Sequence, residues 1–492
     1  MIGGALLALV LLPLAGAAVA LRIHARRTAF LFGVGVTGAA LFLALALAAL
    51  PAFGVPAEIA VTPFPGLSVA LSVDGLNALF LALAALLASL AILYAEPSDS
   101  EDPGLFVAAV CGYLSAVELQ LLSDDLLLFW LGGSAEIAVL GLLSARWGTG
   151  AEKGLATLRA ARSLGFGQLL FGAGLLLLAA HHASGPGSLS FRLSDLLLTP
   201  LPAERQGVVF FLLFYGLCAR LPLFPFHAWL PILAGQGTVV VGGVFLLGLK
   251  IGVYALLKFV LPLAPAAAAA YGGWIVALGA FSLLYGALMA LVQQNLRRMI
   301  AFAAVSHTGA VMIGLFSLDL TGMTGALLLS FSLGVATSGL LFVTGFVYRR
   351  RRTAQIARLG GMFDETPLLA LTFLVVCLSG IAMPGTLGFD AGHLLVEGAI
   401  ATRGAAVGAL ATFGNVAAAG YLLWAYQRVF LAEAAERSGR RVRDLRWREG
   451  LIAGVLTALI FGMGLTSARW MALVEAPLRT LAASAGPHEG AP

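Results

Sequence analysis

Nine side chains in this sequence can hold, pass or steer a proton and sit within or beside long apolar runs. They are Glu118, Glu136, Arg220, His227, Lys250, His307, Asp390, His393 and Glu397. Lys250 lies mid-run in Leu249-Lys250-Ile251-Gly252-Val253-Tyr254. A lysine at that depth is expensive in lipid. Burial works against the charged form of any lysine, so such a group can gain and lose a proton near neutral pH. It is a candidate relay; a structural lysine bonded to backbone carbonyls is the alternative. His307, in Val305-Ser306-His307-Thr308-Gly309, can hold or pass a proton at physiological pH or be a satisfied helix-face histidine. Asp390, His393 and Glu397 are spaced i, i+3 and i+4, so a continuing helix carries them on one side. Such a carboxylate–imidazole–carboxylate row can move a proton toward one membrane face by short transfers; an exposed helix end with snorkelling side chains is the alternative. Glu136 falls well inside its run and Glu118 inside the preceding one. Unpaired, a carboxyl at such depth is a neutral acid. Arg220 and His227 flank Pro222 and Pro225. Arginine stays protonated, so Arg220 can only be a fixed charge, while His227 is either interfacial or part of a path. Asp74 precedes an apolar run and reads as a helix cap.

The elements that position these groups follow from composition. Of the 492 residues, 60% are hydrophobic and 11% charged, and the mean hydropathy is +0.98. Soluble domains carry roughly 25% charged residues, so the chain is an integral membrane protein. Net charge is +5, with the basic residues in a few short loops. That is a topology signal and not a nucleic-acid footprint. Cys111, Cys218 and Cys377 are too few and too scattered for a disulfide framework or a metal site, and no cofactor is expected. The run Ile2 to Leu21 is longer than a signal-peptide core and lacks a basic leader, so it reads as a retained helix.

A membrane-spanning helix needs about 20 apolar residues. Fourteen stretches qualify: 2–21, 29–52, 75–95, 105–122, 126–145, 163–181, 208–230, 235–260, 268–292, 299–317, 323–348, 367–398, 405–430 and 450–470. The fold class is all-α. Arginine-rich loops alternate with acidic ones, which places both termini outside a bacterial-type inner membrane. The acidic loop Glu96 to Asp102 falls on the inside and is the exception. Spans 7 and 12 are interrupted, the first by Pro222 and Pro225 and the second at Met383-Pro384-Gly385, because proline cannot continue a helix. Each break is followed in the next span by a polar residue, Lys250 or Asn415. Two interrupted helices at matching places suggest inverted five-helix repeats, spans 4–8 and 9–13, around a midplane site. The chain then divides into 1–104, 105–262, 263–430 and 431–492.

Several pieces together resemble a known family: Val73-Asp74-Gly75-Leu76, Asp125 to Phe129, Arg220 to Pro231, Leu249 to Tyr254, Arg298 to Phe302 and Val305 to Gly309. They are similar to the antiporter-like L, M and N membrane subunits of respiratory complex I, with relatives in Mrp antiporters, membrane-bound hydrogenases and inorganic-carbon uptake complexes. The length suits the M or N type. The resemblance implies fourteen helices, broken helices 7 and 12, proton movement through buried charges along the midplane, partner subunits, and no redox chemistry in this chain. It puts the family's helix-8 lysine on Lys250 and its helix-10 histidine on His307. Four positions depart. Arg220 stands where the family has lysine, Ser134 where it has the helix-5 glutamate, Leu333 where it has a helix-11 histidine, and Gly392 where it has a charged helix-12 residue. Either Glu118 or Glu136 then becomes the partner of Arg220, or this half does not conduct. Three functions remain in view: a proton-translocating subunit of a complex I-like assembly, the conducting partner of an inorganic-carbon uptake complex, and a non-conducting structural subunit.

Overall fold

The computed structural model describes residues 2–64, 67–95, 102–185, 188–237, 250–433 and 443–485. Helices α1 (Ile2–Ala20), α2 (Arg26–Ala49), α3 (Ala78–Tyr94) and α4 (Pro103–Leu122) pack together at the N-terminal side. Small residues allow the approach, as membrane helices require in the absence of a hydrophobic drive between them. Gly33 of α2 lies so near α3 and α4 that a Cβ there would stand 2.9 Å from Ile92 and 2.8 Å from Val107.

The fold is mostly helical, as the all-α reading expects, with one small addition. An antiparallel hairpin, β1 (Ala57–Phe64) and β2 (Leu67–Val73), fills the connection between α2 and α3, in register from Ala57↔Val73 to Val61↔Val69. Alternating apolar residues around Pro65-Gly66 were its signal in the sequence.

Next come α5 (Leu126–Trp147), α6 (Lys153–Ala183), the short α7 (Leu193–Leu198), α8 (Ala203–Cys218) and α9 (Trp229–Gln236). α8 and α9 are the halves of the first interrupted span. Residues 219–228 run between them as turns. Trp229 Nε1 donates to the Ala219 carbonyl at 2.9 Å and ties the halves across the break. Residues 238–249 of the predicted span 235–260 lie outside the described residues; its described end is α10 (250–263), which contains a π-helical turn, Leu256–Val260.

The second half comprises α11 (Pro265–Leu291), α12 (Leu296–Leu315), α13 (Leu320–Arg351), the short α14 (Met362–Glu365), α15 (Pro367–Gly380), α16 (Leu387–Arg403) and α17 (Ala405–Tyr426). α15 and α16 are the halves of the second interrupted span. The chain turns between them with Ala382 at φ 59° and Gly385 at φ 89°. α18 (Trp447–Leu465) and α19 (Ser467–Ala485) complete the described chain. Ten described helices are long and apolar enough to cross a membrane, and α3 and α15 are shorter apolar helices. α13 is the central one, buried along its whole apolar length.

The two ends of the bundle differ. At the basic end, Arg146 meets Asp102 at 2.5 Å, Arg297 donates to Thr149 at 2.7 Å and lies over the Tyr348 ring, and Arg350 meets Glu449 at 2.6 Å. Asp102, the last residue of the acidic exception, is thus held by an arginine; Glu96 to Glu101 lie outside the described residues. The opposite end carries the hairpin, the N-caps Asp125 and Asp319, and the starts of α11 and α19.

Candidate functional site

The first cluster forms where α8 breaks. Arg220 is buried, and its fork is filled from α4 and α5. Nη1 donates to Gln120 Oε1 at 2.5 Å, and Nη2 donates to Glu136 Oε2. Glu136 also accepts from Tyr113 Oη and from Gln120 Nε2, both at 2.9 Å. Gly133 leaves the room, since a Cβ there would stand 3.0 Å from Arg220 Nη1 and 2.8 Å from Gln168 Nε2. Ser134 does not face Arg220; its hydroxyl donates to the Trp130 carbonyl at 3.0 Å and accepts from Gln168. Of the two carboxyls weighed from the sequence, Glu136 is the partner. A guanidinium reaches further than an ammonium and forks, which accommodates a carboxylate displaced by two residues.

Glu118 stands apart. It is fully buried, and neither carboxyl oxygen has a hydrogen-bond partner among the described residues. Cys111, two turns earlier on α4, is within electrostatic reach of it.

The second cluster holds Lys250 and His307. Lys250 is the first described residue of α10 and is 5% exposed. Its methylene stem lies against Gly334 of α13, and its charge reaches the His307 imidazole on α12. His307 Nε2 is 3.2 Å from Tyr421 Oη on α17, and Nδ1 has no partner among the described residues. Lysine, imidazole and phenol therefore come from three helices to one buried region. Tyr421 was not singled out from the sequence; its only signal was a hydroxyl-bearing side chain six residues beyond Asn415.

His227 is not interfacial. It is 5% exposed and enclosed by rings, with Phe224 stacked at 5.6 Å, Tyr285 edge-on at 4.9 Å and Phe302 at 6.2 Å between centroids. Asp390, His393 and Glu397 do share one side of α16, but it is the side turned away from the core. Asp390 is half-buried, and His393 and Glu397 are exposed. The buried side is Gly388, Ala391, Gly392, Leu395, Gly398 and Ala399, packed mainly on α13. Gly392, where a charge was expected, faces Asn415 of α17.

A third cluster lies at the hairpin end. Lys258 Nζ is 2.7 Å from Asp124 Oδ1, 2.9 Å from Asp74 Oδ2 and 3.4 Å from Ser72 Oγ. Asp74 also accepts from the Leu76 and Asn77 amides at 2.8 and 3.2 Å, so it both caps the turn into α3 and binds a cation. Lys258 was missed. Its signal was the spacing i, i+4, i+8 through Lys250, Tyr254 and Lys258, which puts a second cation two turns along one helix face.

The comparisons with known proteins agree with this architecture. The family described as "NADH:quinone oxidoreductase/Mrp antiporter, TM" matches residues 123–417. NADH-quinone oxidoreductase subunit M of Rickettsia conorii is 30% identical over 409 residues, covering 81% of this chain and 80% of that protein. Subunit M of Mycobacterium tuberculosis is 29% identical over 398 residues, covering 79% and 71%. A chain of respiratory complex I from Thermus thermophilus superimposes with a TM-score of 0.88 at 29% identity, over 98% of this chain and all of that one. A chain of the Mrp complex from Dietzia sp. shares the fold, with a TM-score of 0.85 at 20% identity over 98% of both chains. These partners in likeness are all chains of multi-subunit membrane complexes. The chain belongs to the NADH:quinone oxidoreductase/Mrp antiporter family of multi-pass membrane subunits.

Proposed function

We propose that this chain is an M-type, proton-translocating subunit of a complex I-like or Mrp-like assembly in a bacterial inner membrane. The observation that carries the reading is that buried Lys250 lies within electrostatic range of buried His307, whose Nε2 is 3.2 Å from Tyr421 Oη. Lys250 is the group that takes up and releases the proton. His307, with one nitrogen on Tyr421 and one free of described partners, links it to the second half. Arg220 is a fixed charge matched by Glu136. It sets the potential at the first break and does not cycle. Asp390, His393 and Glu397 form the exit side, along the outward side of α16. His227 packs the aromatic wall of the first break, and Glu118 stays a neutral acid outside the path.

The same reading counts fourteen crossings, with α8/α9 and α15/α16 as one each and α10 as the end of another. It treats the halves around the two breaks as inverted repeats. Both described ends of the chain lie at the hairpin end and the arginines gather at the other, which favours the hairpin end outside. The relatives named above belong to respiratory and antiporter assemblies, and this sets the reading over the inorganic-carbon alternative.

The deciding experiment is Lys250→Ala in the whole complex, reconstituted in proteoliposomes. The subunit should assemble at the normal level while ion flux through it is lost. Unchanged flux in that variant would refute the relay and favour a structural subunit.

A further inference from the structure

α13 carries a run at four-residue spacing, Ser330, Gly334 and Ser338. At i, i+4 and i+8 the three lie along one side of the helix. The stem of Lys250 crosses that side at its middle. A Cβ on Gly334 would stand 3.6 Å from Lys250 Cγ and 3.8 Å from Lys250 Cε. One turn before and one turn after the contact stand the two serines. Both are 0% exposed, and neither hydroxyl has a hydrogen-bond partner among the described residues.

Several other buried hydroxyls in this bundle have a partner on their own helix. Thr337 donates to the Leu333 carbonyl at 2.5 Å, Thr308 to Ala304 at 2.8 Å, Thr37 to Gly33 at 2.9 Å and Ser89 to Ala85 at 2.8 Å. Back-bonding to the carbonyl one turn earlier is the usual outlet for a helical serine or threonine. A buried hydroxyl that does not use it costs free energy until something else takes it. Ser144, Thr324 and Thr344 also leave it unused among the described residues, but Ser330 and Ser338 are the two that stand one turn before and one turn after the Lys250 stem.

We infer that Ser330 and Ser338 are a hydroxyl clasp that reaches the Lys250 amine through bridging waters, and that Gly334 is the slot that admits its stem. The chemistry suits a group that changes protonation. The ammonium only donates, whereas the neutral amine also accepts, and a hydroxyl can do either by rotating. The clasp therefore serves both states without adding a charge. Leu333 offers no such group, so the hydroxyls on the adjacent side of α13 supply the polar contacts at this level of the bundle. Ser330 and Ser338 are positioning residues, acting through Lys250.

The inference rests on Lys250 being the relay, and the test separates the two. In the reconstituted whole complex, Ser330→Ala/Ser338→Ala should assemble normally and lose flux by about tenfold or more, the range for losing a hydrogen bond to a charged group. Ser330→Thr/Ser338→Thr, which keeps both hydroxyls, should restore most of it. Gly334→Ala should conduct, since its methyl would make ordinary contact with the Lys250 stem and ask the end of the Leu83 side chain, 3.3 Å away, to give by a few tenths of an ångström, and Gly334→Leu should not. If Lys250→Ala abolishes flux while the alanine pair conducts normally, the clasp alone is overturned. If the alanine pair assembles and fails but the threonine pair fails equally, packing and not hydrogen bonding is responsible, which also overturns it. If Lys250→Ala conducts, relay and clasp fall together.

Discussion

The Arg220–Glu136 pair gives the sharpest test of how this bundle tolerates charge. Arg220 is 3% exposed and Glu136 4%, so water cannot replace a lost partner. Removing one member of such a pair leaves the other charge buried and unmatched, at about 3–5 kcal/mol. Gln120 still offers its oxygen to Arg220 at 2.5 Å, which puts Glu136→Ala near the lower end, about 3 kcal/mol. Arg220→Met should cost at least as much, because it leaves the carboxylate. The double variant Arg220→Met/Glu136→Leu is different. Exchanging a whole buried pair for apolar side chains is often close to neutral. What remains is the loss of the Tyr113 and Gln120 bonds to Glu136 and of the Gln120 bond to Arg220, about 1 kcal/mol each. The singles should therefore sum to about 6 kcal/mol and the double should cost about 3, a coupling of about 3 kcal/mol. Denaturant titration of the subunit in micelles, with the amount of assembled complex as a second measure, gives the three values. A double variant whose cost equals the sum of the singles within about 0.5 kcal/mol would refute the pairing. If the pair tunes the relay as proposed, the recovered double variant should assemble and still conduct poorly.

Three further outcomes follow from the other clusters. Lys258→Met leaves Asp74 and Asp124 facing one another without their shared cation, so the thermal midpoint of the complex should fall; adding Asp124→Asn should return part of the loss, and no recovery would argue against a charge effect. Tyr421→Phe removes the hydroxyl beside His307 Nε2 while keeping the ring, so assembly should be normal and flux several-fold lower, whereas wild-type flux would separate Tyr421 from the path. Glu118→Gln should change neither stability nor flux measurably, because a buried carboxyl with no described partner is close in shape to an amide; a loss of flux beyond about threefold would put Glu118 on the route.

Much of this architecture was legible because lipid imposes simple rules. Long apolar runs gave the helices, and Pro222, Pro225 and Met383-Pro384-Gly385 marked both interruptions, where prolines come paired or beside a glycine; single prolines such as Pro13 sit inside an unbroken helix. Paired groups were harder. Matching Arg220 to a glutamate by counting along α5 assumes a partner of lysine's length. The longer, forked guanidinium and the gap at Gly133 moved the partner to Glu136, which spacing alone could not choose over Glu118. Lys258, Asp74 and Asp124 come from three distant segments and meet only in the fold. The shared side of Asp390, His393 and Glu397 was readable from their spacing. Which way that side faces depended on the small residues opposite, Gly388, Ala391, Gly392 and Gly398, on which α13 rests. The hairpin was overlooked because its alternation is short and sits between much stronger helical signals.

The direction of that α16 row has a consequence for how the subunit is made. Asp390 is part-covered and His393 and Glu397 are open, on a helix that leads out from a mid-bilayer break. A newly inserted copy that has not met its neighbours presents these groups to acyl chains, at a cost of a few kcal/mol for an ionisable residue held at depth. The same row thus distinguishes an orphan copy from an assembled one. Covering of the row by a neighbouring subunit would remove that cost, so these three side chains would couple the stability of the chain in the membrane to its assembly.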